Sequence, residues 1–269
     1  MGKRVIVLGG GNVAFDCART ARRLGAQEIH LACLEARDKM LADEEEITQA
    51  QEEGIRIHPA HTFEAIVGTD HAEGVRFCRV KSFTFDENRR AIIEKEENSE
   101  YVIEADTVIF ATGQRTDITP EAGLELGRGN SIAVQPGSGR TSVAGIYACG
   151  DAVYGTRTVI QAIAAGRDAA SEIDKALGGD GDISEVLAPV EVPDACIGKV
   201  EGFGDLPRAE EQFRCAEARS DNFAPISAGL CDSAACGEAA RCLQCDLRFR
   251  ITGHRIWSDY TDEKEGAAQ

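Results

Sequence analysis

The chain has 269 residues, with 46 Asp and Glu against 29 Lys and Arg, which gives a formal net charge of −17. An acidic chain with no basic block is a poor nucleic-acid binder, because phosphate contacts supply most of that affinity. No apolar run approaches the roughly 18–20 residues that cross a bilayer and the N-terminus lacks a signal-peptide layout, so no membrane insertion is expected and the chain reads as cytoplasmic. Its 43% hydrophobic residues suffice for a real core in one large or two small domains.

Residues 1–112 read as a compact α/β unit. Val5-Ile6-Val7-Leu8 is a short apolar strand ending in Gly9-Gly10-Gly11. The spacing predicts a helix from about Asn12 to Leu24, with Val13, Cys17, Ala18, Ala21 and Leu24 on one face. Glu28 to Leu34 is a second strand, Met40 to Glu53 a charged helix, and Ile55 to His58 another strand. Val75–Phe85 and Ala91–Ile103 look like a meander turned at Asp86-Glu87-Asn88, and Thr107 to Ala111 is a final buried strand. Residues 113–178 open on a Gly-rich irregular stretch, then give a strand from Gly145 to Cys149, a Gly150-Asp151 turn and a helix from about Thr158 to Leu177. Residues 179–269 begin with a Gly/Asp linker and hold most of the prolines, so a loop-rich tail with one or two short helices is expected.

Gly9-Gly10-Gly11-Asn12-Val13-Ala14 fits G-x-G-x-x-G/A between a strand and a helix. The first glycine makes the tight turn, the second lets the backbone approach a pyrophosphate, and the small third residue lets helix and strand pack closely. The free N–H groups and dipole of the helix N-terminus then favour the anion. This predicts a Rossmann-like three-layer domain that binds a dinucleotide; the competing reading is a tight glycine turn in an ordinary doubly wound sheet. Glu35, 24 residues after Gly11, closes the second strand, where a carboxylate can accept from ribose hydroxyls and repels a 2′-phosphate. That favours NAD(H) over NADP(H), although Arg37 could reach a 2′-phosphate; the competing reading of Glu35 is a solvated strand-end carboxylate.

Four stretches together resemble a known arrangement: GGGNVAFDCARTARRLG from Gly9 to Gly25, Met40 with its acidic helix and Glu53-Gly54, Val108 to Gly113, and Ile146 to Asp151 followed by Thr158 to Arg167. They resemble the second half of the FAD-dependent pyridine nucleotide (disulfide) oxidoreductases, in the branch of the glutamate synthase small subunit. NADPH-using members carry a pair of arginines after the second strand. Aligned on Met40, this sequence has Leu34-Glu35 there, which supports NAD(H). The resemblance implies that Ala111, Thr112 and Gly113 form a turn crossing from the nicotinamide domain to a split FAD-binding domain. It also implies that Asp151, after Gly150, bonds the ribityl chain of FAD, and that the helix starting at Thr158 and Val159 points its N-terminus at the flavin.

Full-length members of that family begin with an earlier fingerprint for the ADP half of FAD, whereas this sequence has one such motif, close to its start. It is therefore read as a fragment or as one chain of a split enzyme. Exposed apolar surface is expected on the 158–177 helix, at Val159, Ile160, Ile163, Ala164 and Ala170. It would be covered by the missing N-terminal FAD half, an electron-accepting partner subunit or a second copy.

Ten cysteines in a long α/β chain do not suggest a disulfide scaffold. Cys17, Cys33, Cys78 and Cys149 read as small buried hydrophobes. Cys231, Cys236, Cys242 and Cys245 have the spacing C-x4-C-x5-C-x2-C, which suits an iron–sulfur cluster or a tetrahedral zinc. The run Glu238 to Asp246 also resembles the segment that opens the cluster region in the same branch. That places Fe–S ahead of zinc, with unligated thiols as the alternative. His58, His61 and the glutamates at 44–46 and 52–53 read as solvated surface. The sequence thus reads as a flavin-dependent NAD(P)H oxidoreductase module, NADH preferred, passing hydride to FAD and then electrons to Fe–S centres or a partner. No side chain is read as a proton-transfer catalyst. A non-catalytic nucleotide-binding subunit and a dehydrogenase acting directly on a small substrate remain as alternatives.

Overall fold

A computed structural model describes residues 2–86, 91–184, 202 and 205–241. The chain forms two compact units, Met1–Glu185 with Cys215–Ala224, and Val186–Arg214 with Pro225–Gln269. In chain order the strands of the first unit are β1 (Arg4–Leu8), β2 (Glu28–Ala32), β3 (Arg56–His58), β4 (His61–Val67), β5 (Gly74–Phe85), β6 (Ala91–Lys95), β7 (Tyr101–Glu104) and β8 (Thr107–Phe110). Its helices are α1 (Asn12–Arg23), α2 (Glu44–Glu52), α3 (Asp151–Tyr154), α4 (Val159–Ala176) and α5 (Ala216–Arg219). The second unit holds α6 (Asp232–Ala240). Among the described residues no helix is long and apolar enough to cross a membrane.

The expected three-layer fold is present. β1 is apolar at four consecutive positions because it is buried on both faces. Val5 and Val7 face α1 and α2 with Ala14, Phe15, Ala18, Ile29, Leu31 and Ile47. Ile6 and Leu8 face the opposite way, onto Val75, Phe77 and Ala105 of the meander layer. The parallel sheet runs β3-β2-β1-β8, while β5 pairs antiparallel with β4, β6 and β7.

Several details differ from the sequence expectation. The buried face of α1 is Ala14, Phe15, Ala18, Arg19 and Ala21, while Val13 and Leu24 are 61% and 53% exposed. A shift of one position turns a helix by about 100°, and Phe15 is the large side chain that the sheet accepts. α2 starts at Glu44 rather than Met40, because a 3₁₀ turn at Arg37–Lys39 intervenes and Asp43 keeps extended geometry at the N-cap. Gly145–Cys149 is not a buried strand: Ile146 is exposed, and the segment makes only an isolated bridge between Arg140 and Tyr147. Gly139 and Gly145, both at positive φ, bend the chain on either side of that bridge. β4 follows β3 almost directly and was not foreseen.

The glutamates of α2 are not all solvated. The Glu53 side chain is fully buried; it accepts from Arg19 Nη2 and Arg23 Nη1 at 2.9 Å each and makes an ion pair with the Arg219 guanidinium, whose Nε lies 3.0 Å away. Arg19 Nη1 also donates to Glu46 at 2.6 Å, and Arg219 Nη2 to Glu52 at 2.6 Å. Charge patterning could not show this, since every cation comes from another element. Burial alone would raise the Glu53 carboxyl, but the hydrogen bonds and charges of Arg23 and Arg19 outweigh it and hold it below the usual range. Glu53→Gln is expected to cost about 3 kcal/mol, because breaking a buried pair leaves uncompensated charge. Urea unfolding checks this. The wild-type advantage should be complete above the ordinary glutamate pKa and should vanish as pH falls through the lower folded value.

His58 and His61 are half-buried rather than fully solvated. The His58 ring stacks on His30 with centroids 5.1 Å apart, and His30 Nδ1 lies 2.8 Å from His58 Nε2. His61 meets the edges of His58 and Tyr101, and the Tyr101 hydroxyl is 3.4 Å from His58 Nδ1. This stack joins the parallel sheet to the meander. Burial, reinforced by His30, His61 and Arg56, lowers the His58 pKa from 6.5 to about 4. The fold therefore favours neutral His58, and stability should be complete above pH 6.5 and decline as pH falls toward 4. In His58→Phe, the slope of stability against pH across that window should flatten, as measured by chemical denaturation.

Candidate nucleotide-binding site

The three glycines after β1 differ in what holds them. Gly9 has φ +140° and donates its N–H to Ala32 O at 2.8 Å, and a Cβ there would sit 2.3 Å from Ala111 O. Only glycine fits this contact between β1 and β8. A Cβ on Gly10 would lie 2.7 Å from Cys33 Cβ and 3.0 Å from Glu35 Oε2, so the Glu35 carboxylate stands directly beside the turn. Gly11 is extended, at φ −91°, and has nothing within 4 Å of the Cβ position. It is the N-cap of α1, no side chain caps the helix, and no acid occupies its first turn. The result is an open cradle at a bare helix N-terminus, which suits a pyrophosphate. It lies at the carboxyl ends of the strands, where β1 is flanked by β2 on one side and β8 on the other.

Around this cradle the sequence-derived residues take distinct places. Ala14 is fully buried against the turn, and Val13 is exposed on the first turn of α1. The Asn12 side chain bonds Asp43: its Nδ2 donates to Oδ2, and its Oδ1 accepts from Asp43 N, each at 2.9 Å. Arg37 is paired with Glu44 through both terminal nitrogens. Cys33 is a buried thiol, pushed up to about 12 by burial and then by Glu35, which favours its protonated form at neutral pH. Ala111 N donates to Leu8 O at 2.7 Å, after which Thr112 and Gly113 leave the sheet, Gly113 with φ +96°. Asp43 and Glu44 were not read as part of this neighbourhood, because no spacing rule connects them to Asn12 and Arg37 across a 3₁₀ turn.

A second group forms around the start of α4. Gly150 has φ +65° and approaches Ala162, and Asp151 Oδ1 accepts from Arg157 N at 3.4 Å. Thr158 closes a capping box with Gln161, which fixes the first turn of α4. The apolar exposure expected on that helix is present, with Val159 at 74%, Ile160 at 79% and Ile163 at 57%. In the second unit, Cys231 is the N-cap of α6 and Cys236 lies within it, both exposed. Among the described residues no three His, Cys, Asp or Glu gather as metal ligands. Cys242 and Cys245 lie outside the described residues.

This combination is that of a Rossmann-type nucleotide-binding fold. A profile of the pyridine nucleotide-disulphide oxidoreductase family matches residues 1–169, and the chain belongs to that family. It is 34% identical over 255 residues to the NADP(+)-dependent formate dehydrogenase subunit beta of Moorella thermoacetica, covering 91% of this chain and 36% of that protein. It is 36% identical over 178 residues to the glutamate synthase [NADPH] small chain of Azospirillum brasilense, covering 64% of this chain and 36% of that one. The chain thus spans about a third of the length of these curated relatives. The solved thioredoxin reductase of T. acidophilum shares the fold, with a TM-score of 0.53 at 22% identity over 65% of this chain and 53% of that one.

The glycines separate folding from binding. Gly9→Ala should lower stability by about 2 kcal/mol or more, through its positive φ and the Ala111 carbonyl. Gly11→Val should lower the unfolding midpoint by only about 2–4 °C, the cost of a β-branched N-cap at a position that nothing crowds. It should nevertheless weaken NADH binding by about two orders of magnitude by filling the cradle, a loss readable by calorimetry.

Proposed function

We propose that this chain is the nicotinamide-side module of a flavin-dependent NAD(P)H oxidoreductase that prefers NADH and delivers electrons to an Fe–S centre or partner subunit. The observation that carries the reading is the open cradle at Gly11, beneath an uncapped helix N-terminus and beside the Glu35 carboxylate. The N-terminus of α1 holds the pyrophosphate, and Glu35 accepts from the adenosine ribose hydroxyls. Bound FAD supplies the hydride acceptor and the capacity to release electrons singly. Around it, Gly150 lets the backbone approach, Asp151 offers a carboxylate to the ribityl chain, and the N-terminus of α4 at Thr158 and Val159 favours negative charge on the reduced ring. Residues 1–112, 113–178 and 179–269 then act as nicotinamide domain, flavin-domain portion and cysteine tail.

The exposed Val159, Ile160 and Ile163 fit a helix face covered by the rest of a flavin domain. Cys231, Cys236, Cys242 and Cys245 are the proposed ligands of an Fe–S cluster, with zinc second. Curated relatives carry NADP in their names, whereas Glu35 and the engaged Arg37 favour NADH here. Steady-state reduction of an artificial acceptor, with and without added FAD, tests the proposal. Expected is FAD-dependent turnover with kcat/KM for NADH at least about tenfold above NADPH, a gap of some 1.4 kcal/mol. Flavin-independent turnover would mean direct dehydrogenation of a substrate. NADH binding with no turnover, even alongside a supplied flavin half, would mean a non-catalytic subunit.

A further inference from the structure

We propose that Glu44 helps to set the nucleotide choice by holding Arg37 away from the position of a 2′-phosphate. The inference rests on the nucleotide reading above and extends it to a positioning residue outside the fingerprint. Arg37 follows Glu35 by two residues, in the segment that leaves β2 at Ala32 and passes beside the cradle. Its guanidinium meets Glu44 fork to fork: Nη1 donates to Oε2 at 3.0 Å, and Nη2 donates to Oε1. A phosphate would need the same planar pair of donors, so the two partners compete for one guanidinium.

Glu44 does not stand there on a free surface loop. It is the first residue of α2, and the N-cap before it, Asp43, is tied by two reciprocal 2.9 Å hydrogen bonds to Asn12. Asn12 opens α1, the helix whose N-terminus forms the cradle. The carboxylate that engages Arg37 is thus positioned from the fingerprint itself. Glu35, Asp38 and Asp43 add negative charge along the same loop. The side chains of Arg37 and Glu44 are 40% and 72% exposed, so the pair is a weak one and a modest effect is expected.

Calorimetry of 5′-ADP and 2′,5′-ADP on the purified full chain tests this without any flavin. The quantity of interest is the ratio of the two dissociation constants, which cancels a general loss of binding competence. Glu44→Gln should move that ratio about three- to fivefold toward 2′,5′-ADP, the size that a surface ion pair allows. In the double variant Glu44→Gln with Arg37→Ala the ratio should return to the wild-type value. An unmoved ratio in Glu44→Gln overturns the inference. So does a gain that survives in the double variant, because the phosphate would then be bound by a group other than Arg37. A wild-type preference for 2′,5′-ADP would instead refute the NADH reading, and leave the role of Glu44 to be decided by the shift between variants. Failure of both nucleotides to bind would overturn the two together.

Discussion

β1 is closed in on every side, and the rest of the first unit follows from that. Its four apolar residues serve two cores at once, Val5 and Val7 toward the helices and Ile6 and Leu8 toward the meander. Its edges carry β2 and β8. The chain can leave such a strand only at its end, and there the carbonyl of Ala111 stands where a side chain on Gly9 would have to be. The exit is therefore a glycine turn into a helix, and the same geometry that relieves crowding leaves a bare helix N-terminus facing open space.

The two helices over that sheet are held by contacts of different kinds along their length. Alanines and Ile47 fill the middle. At the cradle end, Asn12 and Asp43 exchange two hydrogen bonds, and at the far end Arg19 and Arg23 close on Glu53. The polar contacts add little net energy relative to an apolar packing of the same volume, but they are directional and fix how α1 and α2 are aligned. The apolar middle would tolerate sliding, which the ends do not. On the opposite face of the sheet the histidine stack does similar work, tying β2 and β3 to the meander through rings packed against one another.

What could be read from the sequence was what local spacing determines. The run Val5–Leu8, the glycines after it and Ala14 announced the strand, turn and helix, because each residue there answers to its immediate neighbours. The start of the helix near Thr158 and its apolar face were legible for the same reason. Contacts between distant elements were not. Glu53 looked like one more acid on a charged helix, since its partners sit on α1 and α5. His58 looked solvated beside Pro59, since His30 and Tyr101 reach it from other strands. The face of α1 was misjudged because Val13 counts as apolar in any pattern, while its place on the first turn leaves it exposed beside the cradle. Gly145–Cys149 had the composition of a strand, but a strand also requires a ladder of partners.

Arg219 gives the polypeptide a timetable. It lies 167 residues beyond Glu52, yet its side chain is buried against Glu52 and Glu53 within the first unit. A ribosome adding about 5–20 residues per second needs roughly 8–30 s to travel between the two positions. The sheet, the meander and the first two helices can assemble in that interval, with Glu53 satisfied by the arginines of α1 alone. The third guanidinium arrives only when most of the later segment has already been made. Closure of this ion cluster is thus a long-range, late event in the birth of the protein, and the nucleotide unit reaches its final stability only once a stretch well outside its own sheet has returned to it.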